Sequence, residues 1–237
     1  CCGGGWGRGG GGGGGEFARS RRLQSMQAMI HLADRLVATL PSRQDGLYNP
    51  YADNCAYDGP ENTPQTRLER LRNHLDCRPR LILVGEAPGY RGCRYSGVAF
   101  ISEGLLLDGV IPRIDPPSHR LTKRHLPLRE PSATIIWRTL KTLSIQEETV
   151  LWNAIQMHPH RRGEPWSNRT PTAKELALGV PALQILRRAF PNAVFVPIGK
   201  KAYELLQKTG IRSAAYVRHP ANGGAARFAE GLAVILA

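Results

Sequence analysis

The chain has 237 residues, of which 41% are hydrophobic, and this proportion is enough for a folded core and excludes disorder of the whole chain. Its 32 Lys and Arg residues exceed its 19 Asp and Glu residues, giving a net charge of +13 that favours a polyanionic partner. No apolar run reaches the roughly 18 residues of a membrane-spanning helix, so no membrane span is predicted.

The first 20 residues are set apart by glycine, because 11 of the 26 glycines fall within the first 15 positions. This stretch lacks both the layout of a signal peptide and an amphipathic pattern. We therefore interpret residues 1–20 as a flexible leader and residues 21–237 as one domain. The positive charge belongs to the domain, because 30 basic and 18 acidic residues remain without the leader, a net charge of +12.

Helical periodicity and short apolar runs alternate along the rest of the chain. In chain order they predict a helix over Ser25–Leu40, a loop over Ser42–Pro64, a helix over Gln65–Leu75, a strand over Arg80–Val84, a loop over Asp108–Pro131, a helix over Ser132–Leu143, a strand over Thr149–Trp152, a helix over Thr172–Phe190, a strand over Ala193–Pro197, a helix over Lys200–Lys208 and a strand over Ala214–Val217. The apolar run Leu232–Ala237 also has the length of a buried strand. This alternation predicts an α/β fold with a mostly parallel central sheet.

Polar residues follow each predicted strand, at the edge of the sheet where α/β proteins bind ligands. In chain order they are Glu86 in the turn Gly85–Gly89, Asn153 followed by His158 and His160, Lys200 and Lys201 at a helix start, and Arg218 with His219. Phe100 lies on a further loop near glycine. A carboxylate, an amide, imidazoles and cations beside an aromatic ring predict a pocket for a flat polar ring attached to a phosphate backbone.

The cysteines and histidines do not indicate a metal site. Cys55, Cys77 and Cys93 have neither metal-binding spacing nor even pairing, which predicts free thiols in a reducing cytoplasm. His158 and His160 lack a third ligand at a suitable spacing, so we expect a structural loop role or a phosphate contact instead. We therefore predict no metal, no cofactor and a cytoplasmic protein.

Taken in order, the motifs resemble the uracil-DNA glycosylase superfamily, and within it the GEAPG-type bacterial branch that is similar to family 4. They are Gly85–Gly89, Ser96–Phe100, Leu151–Asn153, Asn168–Thr172, Gly199–Ala202 and His219–Pro220, and the resemblance covers most of residues 46–233. It implies a single α/β domain with a central four-stranded, mostly parallel sheet between helices. It also implies an enzyme that hydrolyses the N-glycosidic bond of a pyrimidine rotated out of DNA, leaving an abasic site.

The resemblance further implies roles for individual residues. Three are expected to be catalytic: Glu86 positions or activates water, Asn153 reads the pyrimidine edge, and His219 donates a hydrogen bond to the pyrimidine O2. The residues expected to bind the base are Gly85, Ala87, Tyr90, Phe100 and Asn153, with Phe100 stacking on the ring.

The resemblance also gives the excess of positive charge a role, because several basic residues and one asparagine lie on the loops that follow the strands. We expect these residues to contact DNA phosphates without specifying sequence: Arg161, Arg162, Asn168, Arg169, Lys200, Lys201 and Arg218. The predicted partner is therefore DNA, gripped by its backbone around one flipped pyrimidine, and the predicted oligomeric state is a monomer.

Three departures from the family pattern leave the substrate open. The cysteine quartet of family 4 is absent, Ala99 and Ala221 stand where proline and serine are common, and the interval from Phe100 to Asn153 is long. One hypothesis is uracil, with Tyr90 excluding the thymine methyl group. A second is a bulkier modified pyrimidine, such as hydroxymethylated or glucosylated cytosine of phage DNA, which would make this an antiviral enzyme. A third is a non-catalytic DNA-binding module.

Overall fold

The computed structural model describes residues 32–41 and 44–237. The predicted leader, residues 1–20, and the start of the predicted helix Ser25–Leu40 lie outside the described residues. The elements in chain order are α1 (32–37), β1 (Leu47–Tyr48), α2 (Pro64–Leu75), β2 (Leu81–Gly85), α3 (Cys93–Ser96), α4 (Glu103–Leu107), α5 (Pro131–Thr142), a 3₁₀ turn (Gln146–Glu148), β3 (Thr149–Asn153), β4 (His158–Pro159), α6 (Ala173–Ala177), α7 (Val180–Ala189), β5 (Val194–Pro197), α8 (Lys200–Lys208) and α9 (Ala225–Leu236).

The centre of the fold is a parallel sheet with the strand order β3-β2-β5. All five residues of β2 and all five of β3 are buried, as expected for strands covered by helices on both faces. β2 is in register with both neighbours, so that Gly85 is opposite Asn153 and Val84 is opposite Pro197. The carboxyl ends of all three strands therefore meet at one edge. The connection after β2 leads to β3 on one side of it, and the later connection leads to β5 on its other side. In parallel α/β sheets, ligands bind at the carboxyl edge where the strand order reverses in this way.

The predicted α/β class is confirmed, but the sheet has three strands where four were expected. The segment expected to be the fourth strand makes only two parallel bridges beside β5, Phe195 with Ser213 and Ile198 with Val217. Between these bridges, four residue steps on the outer segment span three steps on β5, which is the geometry of a bulge. Pro197 also lacks an N–H for the ladder. The expected strand is thus reduced to a bulged segment at the edge of the sheet, and its last residue, Val217, lies beside the carboxyl end of β5.

Two helical regions differ from the prediction. The predicted helix Thr172–Phe190 is divided into α6 and α7 at Gly179, where an added Cβ would lie 1.6 Å from the carbonyl oxygen of Ala154. Pro181 in the first turn of α7 then starts a new helix. The apolar run Leu232–Ala237 belongs to α9 rather than to a strand, since it continues a helical stripe that buries Phe228 and Leu232.

The predicted loop between Phe100 and α5 is held in place by one buried carboxylate, Glu103 in α4. Its oxygens accept hydrogen bonds from Arg120 Nε at 2.6 Å, Thr122 N at 3.1 Å, Thr122 Oγ1 at 2.8 Å and Leu128 N at 2.9 Å. Burial alone would raise the pKa of Glu103, but these hydrogen bonds bring it below its usual value. We call residues 108–131 the anchored loop. None of the described helices has the length and apolarity needed to cross a membrane.

Candidate active site

A cavity of about 710 Å³ opens at the carboxyl edge of the sheet. Its walls come from the turn after β2, the loop of Phe100, the end of the anchored loop, the segment before α6, the start of α8 and the loop after Val217. Its lining residues are Glu86, Ala87, Pro88, Gly89, Phe100, Glu130, Ser132, Asn168, Arg169, Thr170, Pro171, Ile198, Gly199, Lys200, Lys201, Arg218, His219, Ala221 and Asn222. Of the predicted strand-end residues, Glu86, Lys200, Lys201, Arg218 and His219 therefore line one cavity, whereas Gly85 and the buried Asn153 do not line it.

Phe100 and Asn153 lie together over the end of β2. A Cβ added to Gly85 would be 2.4 Å from Phe100 Cζ and 2.8 Å from Asn153 Oδ1, so only glycine permits this close approach. Phe100 has a φ angle of 53°, in the left-handed region that costs a residue of its size on the order of 1–3 kcal/mol. Trp137 Nε1 donates to the Phe100 carbonyl at 2.9 Å and helps to hold this conformation. The fold therefore fixes an aromatic ring on the cavity wall, and the buried Asn153 amide lies close to the same glycine without lining the cavity.

The hydrogen bonds of His219 define its tautomer. The backbone N–H of Ala221 donates to His219 Nδ1 at 3.2 Å, so Nδ1 is unprotonated and Nε2 carries the ring proton. Burial and the neighbouring Arg218 guanidinium lower the pKa of His219 from 6.5, which favours the neutral ring. The His219 ring centroid is 6.4 Å from that of Phe100. A neutral imidazole thus offers an N–H donor in the cavity that also holds the aromatic ring.

Glu86 lines the cavity beside a cation at the start of α8. Lys201 Nζ lies 3.1 Å from Glu86 Oε1 and 3.2 Å from Thr170 Oγ1. Both charged side chains are partly exposed. This carboxylate is placed to accept a hydrogen bond from a water molecule in the cavity.

Tyr90, which was expected to bind the base, does not line this cavity. Its ring packs edge-on against Tyr95 at 5.5 Å, and its hydroxyl accepts from Arg124 Nη2 at 2.6 Å. Its backbone N–H donates to Asn168 Oδ1 at 2.8 Å. The same oxygen accepts from His158 Nε2 at 3.0 Å. Tyr90 and Asn168 therefore fix the turn after β2.

His158 is fully buried, which excludes the phosphate contact that was one of its two expected roles. Arg94 Nη1 donates to its Nδ1 at 2.9 Å, so the proton lies on Nε2 and points to Asn168. Burial and Arg94 lower the pKa of His158 to about 3, so this histidine is neutral. The sequence did not indicate Arg94, a buried arginine whose guanidinium carbon lies 3.7 Å from the Tyr48 ring centroid.

The predicted DNA-contacting cations divide into two groups. Lys200, Lys201, Arg169 and Arg218 line the cavity, whereas Arg161 and Arg162 do not. Arg169 makes a bidentate ion pair with Glu175, with N–O distances of 2.7 and 2.6 Å, and so also fixes the start of α6. Arg162 pairs with Asp45, and Arg161 lies 3.5 Å from Glu164.

Glu130 is a cavity residue that the sequence reasoning did not select. Glu130 is the only acidic residue between Arg120 and Lys141, a stretch with six Lys and Arg residues, but no local pattern indicates where the loop ends in space. Ser132 Oγ donates to Glu130 Oε1 at 2.8 Å. Both side chains lie on the cavity wall.

The described part of the chain contains no group of three or more His, Cys, Asp or Glu side chains arranged to hold a metal ion. Cys55, Cys77 and Cys93 are free thiols. Burial raises the pKa of Cys93 above its usual value.

The fold and the cavity together define an α/β protein with a polar, partly cationic site that is lined by an aromatic ring and a neutral imidazole and lies near the buried Asn153 amide. The family model of the uracil DNA glycosylase superfamily matches residues 73–235, and the chain belongs to that superfamily. The resemblance seen in the motifs is thereby confirmed. As a member it is a DNA N-glycosylase, a hydrolase of N-glycosyl bonds that acts on DNA in base excision.

A solved structure with the same fold is that of wild-type SMUG2 from Pedobacter heparinus. It matches with a TM-score of 0.56 at 14% sequence identity, covering 86% of this chain and 96% of that one. At this identity the match establishes the fold. No curated protein matches the chain in sequence.

Proposed function

We propose that this chain binds a pyrimidine nucleotide flipped out of DNA and hydrolyses its N-glycosidic bond, leaving an abasic site. The observation that carries the proposal is the neutral His219 ring, whose proton is placed on Nε2 in the cavity that also contains Phe100. A histidine held in this form is a donor for an oxygen that becomes negative as the base leaves.

Recognition of the base rests on Phe100 and Asn153. An aromatic ring stacked on a base contributes about 1–3 kcal/mol, which offsets the few kcal/mol needed to flip the nucleotide. The Asn153 amide contains both a donor and an acceptor, so it can pair with O4 and N3–H of a pyrimidine together. Both side chains approach Gly85 closely, which supports joint binding of one ring by both.

The chemical step separates charge, because the sugar becomes positive and the departing base becomes negative. A donor placed at O2 then stabilises the transition state more than the ground state, and donors of this kind typically contribute about 3–4 kcal/mol. His219 Nε2–H is our candidate for this donor. Glu86 is our candidate for orienting the water whose oxygen bonds to C1′ as the C1′–N bond breaks.

DNA is held by cations around the cavity in this proposal. Of the four cationic side chains that line the cavity, Arg169, Lys200 and Lys201 have acidic partners, whereas Arg218 has none among the described residues and is the main candidate for a phosphate contact. Arg218 is exposed and lies next to His219, which suits a contact with the backbone beside the flipped nucleotide. Binding as a monomer and a cytoplasmic location remain predictions.

Two bases remain candidates. Uracil needs nothing beyond the Phe100 and Asn153 contacts. A bulkier modified pyrimidine is favoured by a specific observation: Tyr90 is packed away from the cavity, while the small residues Gly89 and Ala221 line it. An antiviral role would follow if that base came from phage DNA.

The test uses duplexes that each contain one uracil or one 5-substituted cytosine, followed by alkaline cleavage of abasic sites. We expect cleavage at the marked base and its loss in Asn153→Ala. Salt-sensitive binding of all duplexes without any alkali-labile site would support a non-catalytic module and contradict the proposal. Cleavage that persists in Asn153→Ala would remove Asn153 from base recognition.

A further inference from the structure

Glu130 occupies an unusual place for a carboxyl group. It lies at the end of the anchored loop, just before α5, and its side chain crosses above the turn that follows β2. A Cβ added to Gly92 would coincide with Glu130 Oε2, at 1.8 Å, and a Cβ added to Gly89 would lie 3.9 Å from Oε1. Glycine at position 92 thus leaves the space that Glu130 fills. The carboxyl group reaches the cavity wall that Gly89 also forms.

The contacts around Glu130 do not explain why an acidic side chain occupies this position. It makes no side-chain capping bond to α5 although it is the N-cap residue. Within the described ranges, its carboxyl group has no Lys, Arg or His partner, and its hydrogen bond is the one from Ser132 Oγ to Oε1. Burial raises the pKa of Glu130, and the Ser132 hydrogen bond only partly opposes this. Glu130 is only partly exposed, and a carboxyl group withdrawn from water without a cation is costly, which indicates a role outside folding.

The chemistry of pyrimidines limits what this group can bind. Uracil has a single donor on its pairing edge, N3–H, and the Asn153 amide already provides an acceptor for it. A second acceptor therefore has no partner on uracil. A C4 amine or a hydroxyl on a C5 substituent adds a donor, and carboxylates are the usual acceptors for the cytosine amine.

We propose that Glu130 selects flipped pyrimidines that carry a hydrogen-bond donor at C4 or on a C5 substituent, through its free carboxyl oxygen in the cavity. This inference rests on the proposed base-excision function and names its substrate class. Glu130 is a specificity residue in this scheme, and it takes no part in bond cleavage. Ser132 positions it by holding the other carboxyl oxygen.

The test compares four bases in the same duplex under single-turnover conditions. Uracil has neither extra donor, cytosine has the amine, 5-hydroxymethyluracil has the hydroxyl and 5-hydroxymethylcytosine has both. We expect the wild-type chain to excise at least one donor-bearing base about tenfold faster than uracil, the effect of one hydrogen bond to a charged acceptor. The cytosine and hydroxymethyluracil arms distinguish the amine from the hydroxyl.

Glu130→Gln keeps the shape of the side chain but adds an amide donor that suits the O4 of uracil. We expect it to abolish or reverse the preference while its melting temperature stays close to that of the wild type. Glu130→Asp, which keeps the carboxylate, should retain the direction of the preference. Glu164→Gln is the matched control, because Glu164 is partly exposed, pairs with Arg161 and does not line the cavity.

Two outcomes would overturn the proposal: a wild-type preference for uracil, or equal slowing of all four bases in Glu130→Gln. If the wild-type chain releases no base at all, the proposed function fails, but the proposal is still tested by binding. Affinities for the same duplexes carrying 2′-fluoro nucleotides at the marked position would then have to show the donor preference in the wild type and its loss in Glu130→Gln. Equal affinities would contradict it.

Discussion

At the scale of single residues, His219 is the group on which the proposed chemistry depends. Its neutral tautomer follows from one backbone contact, the N–H of Ala221, and from burial beside Arg218. Protonation of Nδ1 would remove that contact and place two N–H groups on the ring. Because the pKa of His219 is lowered, this protonation requires a lower pH than it does for a free imidazole, and the neutral form persists at pH values just below 6.5.

Replacing His219 with alanine removes the donor, and we expect kcat to fall about 100- to 1,000-fold while DNA affinity changes little. Because the pKa of His219 is lowered, the wild-type rate should stay level as the pH falls to 6.5. At lower pH, protonation of Nδ1 breaks the Ala221 contact that orients the ring, and the rate should then decline. Single-turnover rates across pH 5–8 measure both effects. His119→Ala serves as the control, because His119 is exposed and pairs with Glu61. A decline that begins well above pH 6.5 would contradict the neutral donor.

Much of the site was predictable at this scale. Glu86 follows β2, Asn153 is the last residue of β3 and His219 follows the bulged edge beside β5. Because parallel strands bring their carboxyl ends to one edge, the sequence order predicted that they lie near each other, although Asn153 does not line the cavity. Tyr90 was not predictable in the same way, because its orientation depends on Arg124 and Tyr95, which approach from other parts of the chain.

At the scale of elements, the anchored loop forms a wall of the cavity and carries Glu130. Glu103 holds this loop through Arg120, Thr122 and Leu128. Because the pKa of Glu103 is lowered, its contribution to stability is present above about pH 4.5 and is lost as the pH falls toward its folded value.

We expect Glu103→Gln to lower the free energy of unfolding by about 2 kcal/mol at pH 7, because it loses hydrogen bonds to a charged acceptor. The difference from the wild type should shrink below pH 4.5. Trypsin should also cleave the loop faster after Lys123 and Arg124. The matched change is Asp108→Asn, which breaks an exposed ion pair to Arg129 in the same loop and should have an effect of under about 1 kcal/mol. Equal effects of the two changes would show that Glu103 does not anchor the loop.

The sheet and helices show which elements can be predicted from the apolar pattern of the sequence and which cannot. The apolar runs of β2, β3 and β5 were recognisable because strands buried on both faces are continuously apolar. The bulged segment beside β5 was not, because an extra residue in one strand leaves the apolar pattern unchanged. The apolar end of α9 was ambiguous for a related reason, since a short apolar run fits both a strand and a buried helix.

At the scale of the whole molecule, the net charge of +13 does not by itself locate the DNA-binding surface. The sequence predicted seven DNA-contacting side chains, yet Arg161 and Arg162 lie away from the cavity and form ion pairs with Glu164 and Asp45. Net charge can be read from composition, whereas the side of the molecule that carries it depends on the fold.

Arg218→Ala should therefore weaken DNA binding and reduce the slope of log Kd against log salt concentration by about one, the value for one lost phosphate contact. Arg161→Ala removes the same charge and should leave the slope nearly unchanged. Titration of a labelled duplex at several salt concentrations measures both. Equal slopes for the two variants would mean that the cations at the cavity do not define the DNA path.

The most direct measurement of the central claim is mass spectrometry of the products released from duplexes that carry a single defined pyrimidine. We predict a free pyrimidine base together with an otherwise intact strand that contains one abasic site, and the loss of both products in His219→Ala. Strand cleavage without a released base, or no product from any pyrimidine duplex, would contradict the account.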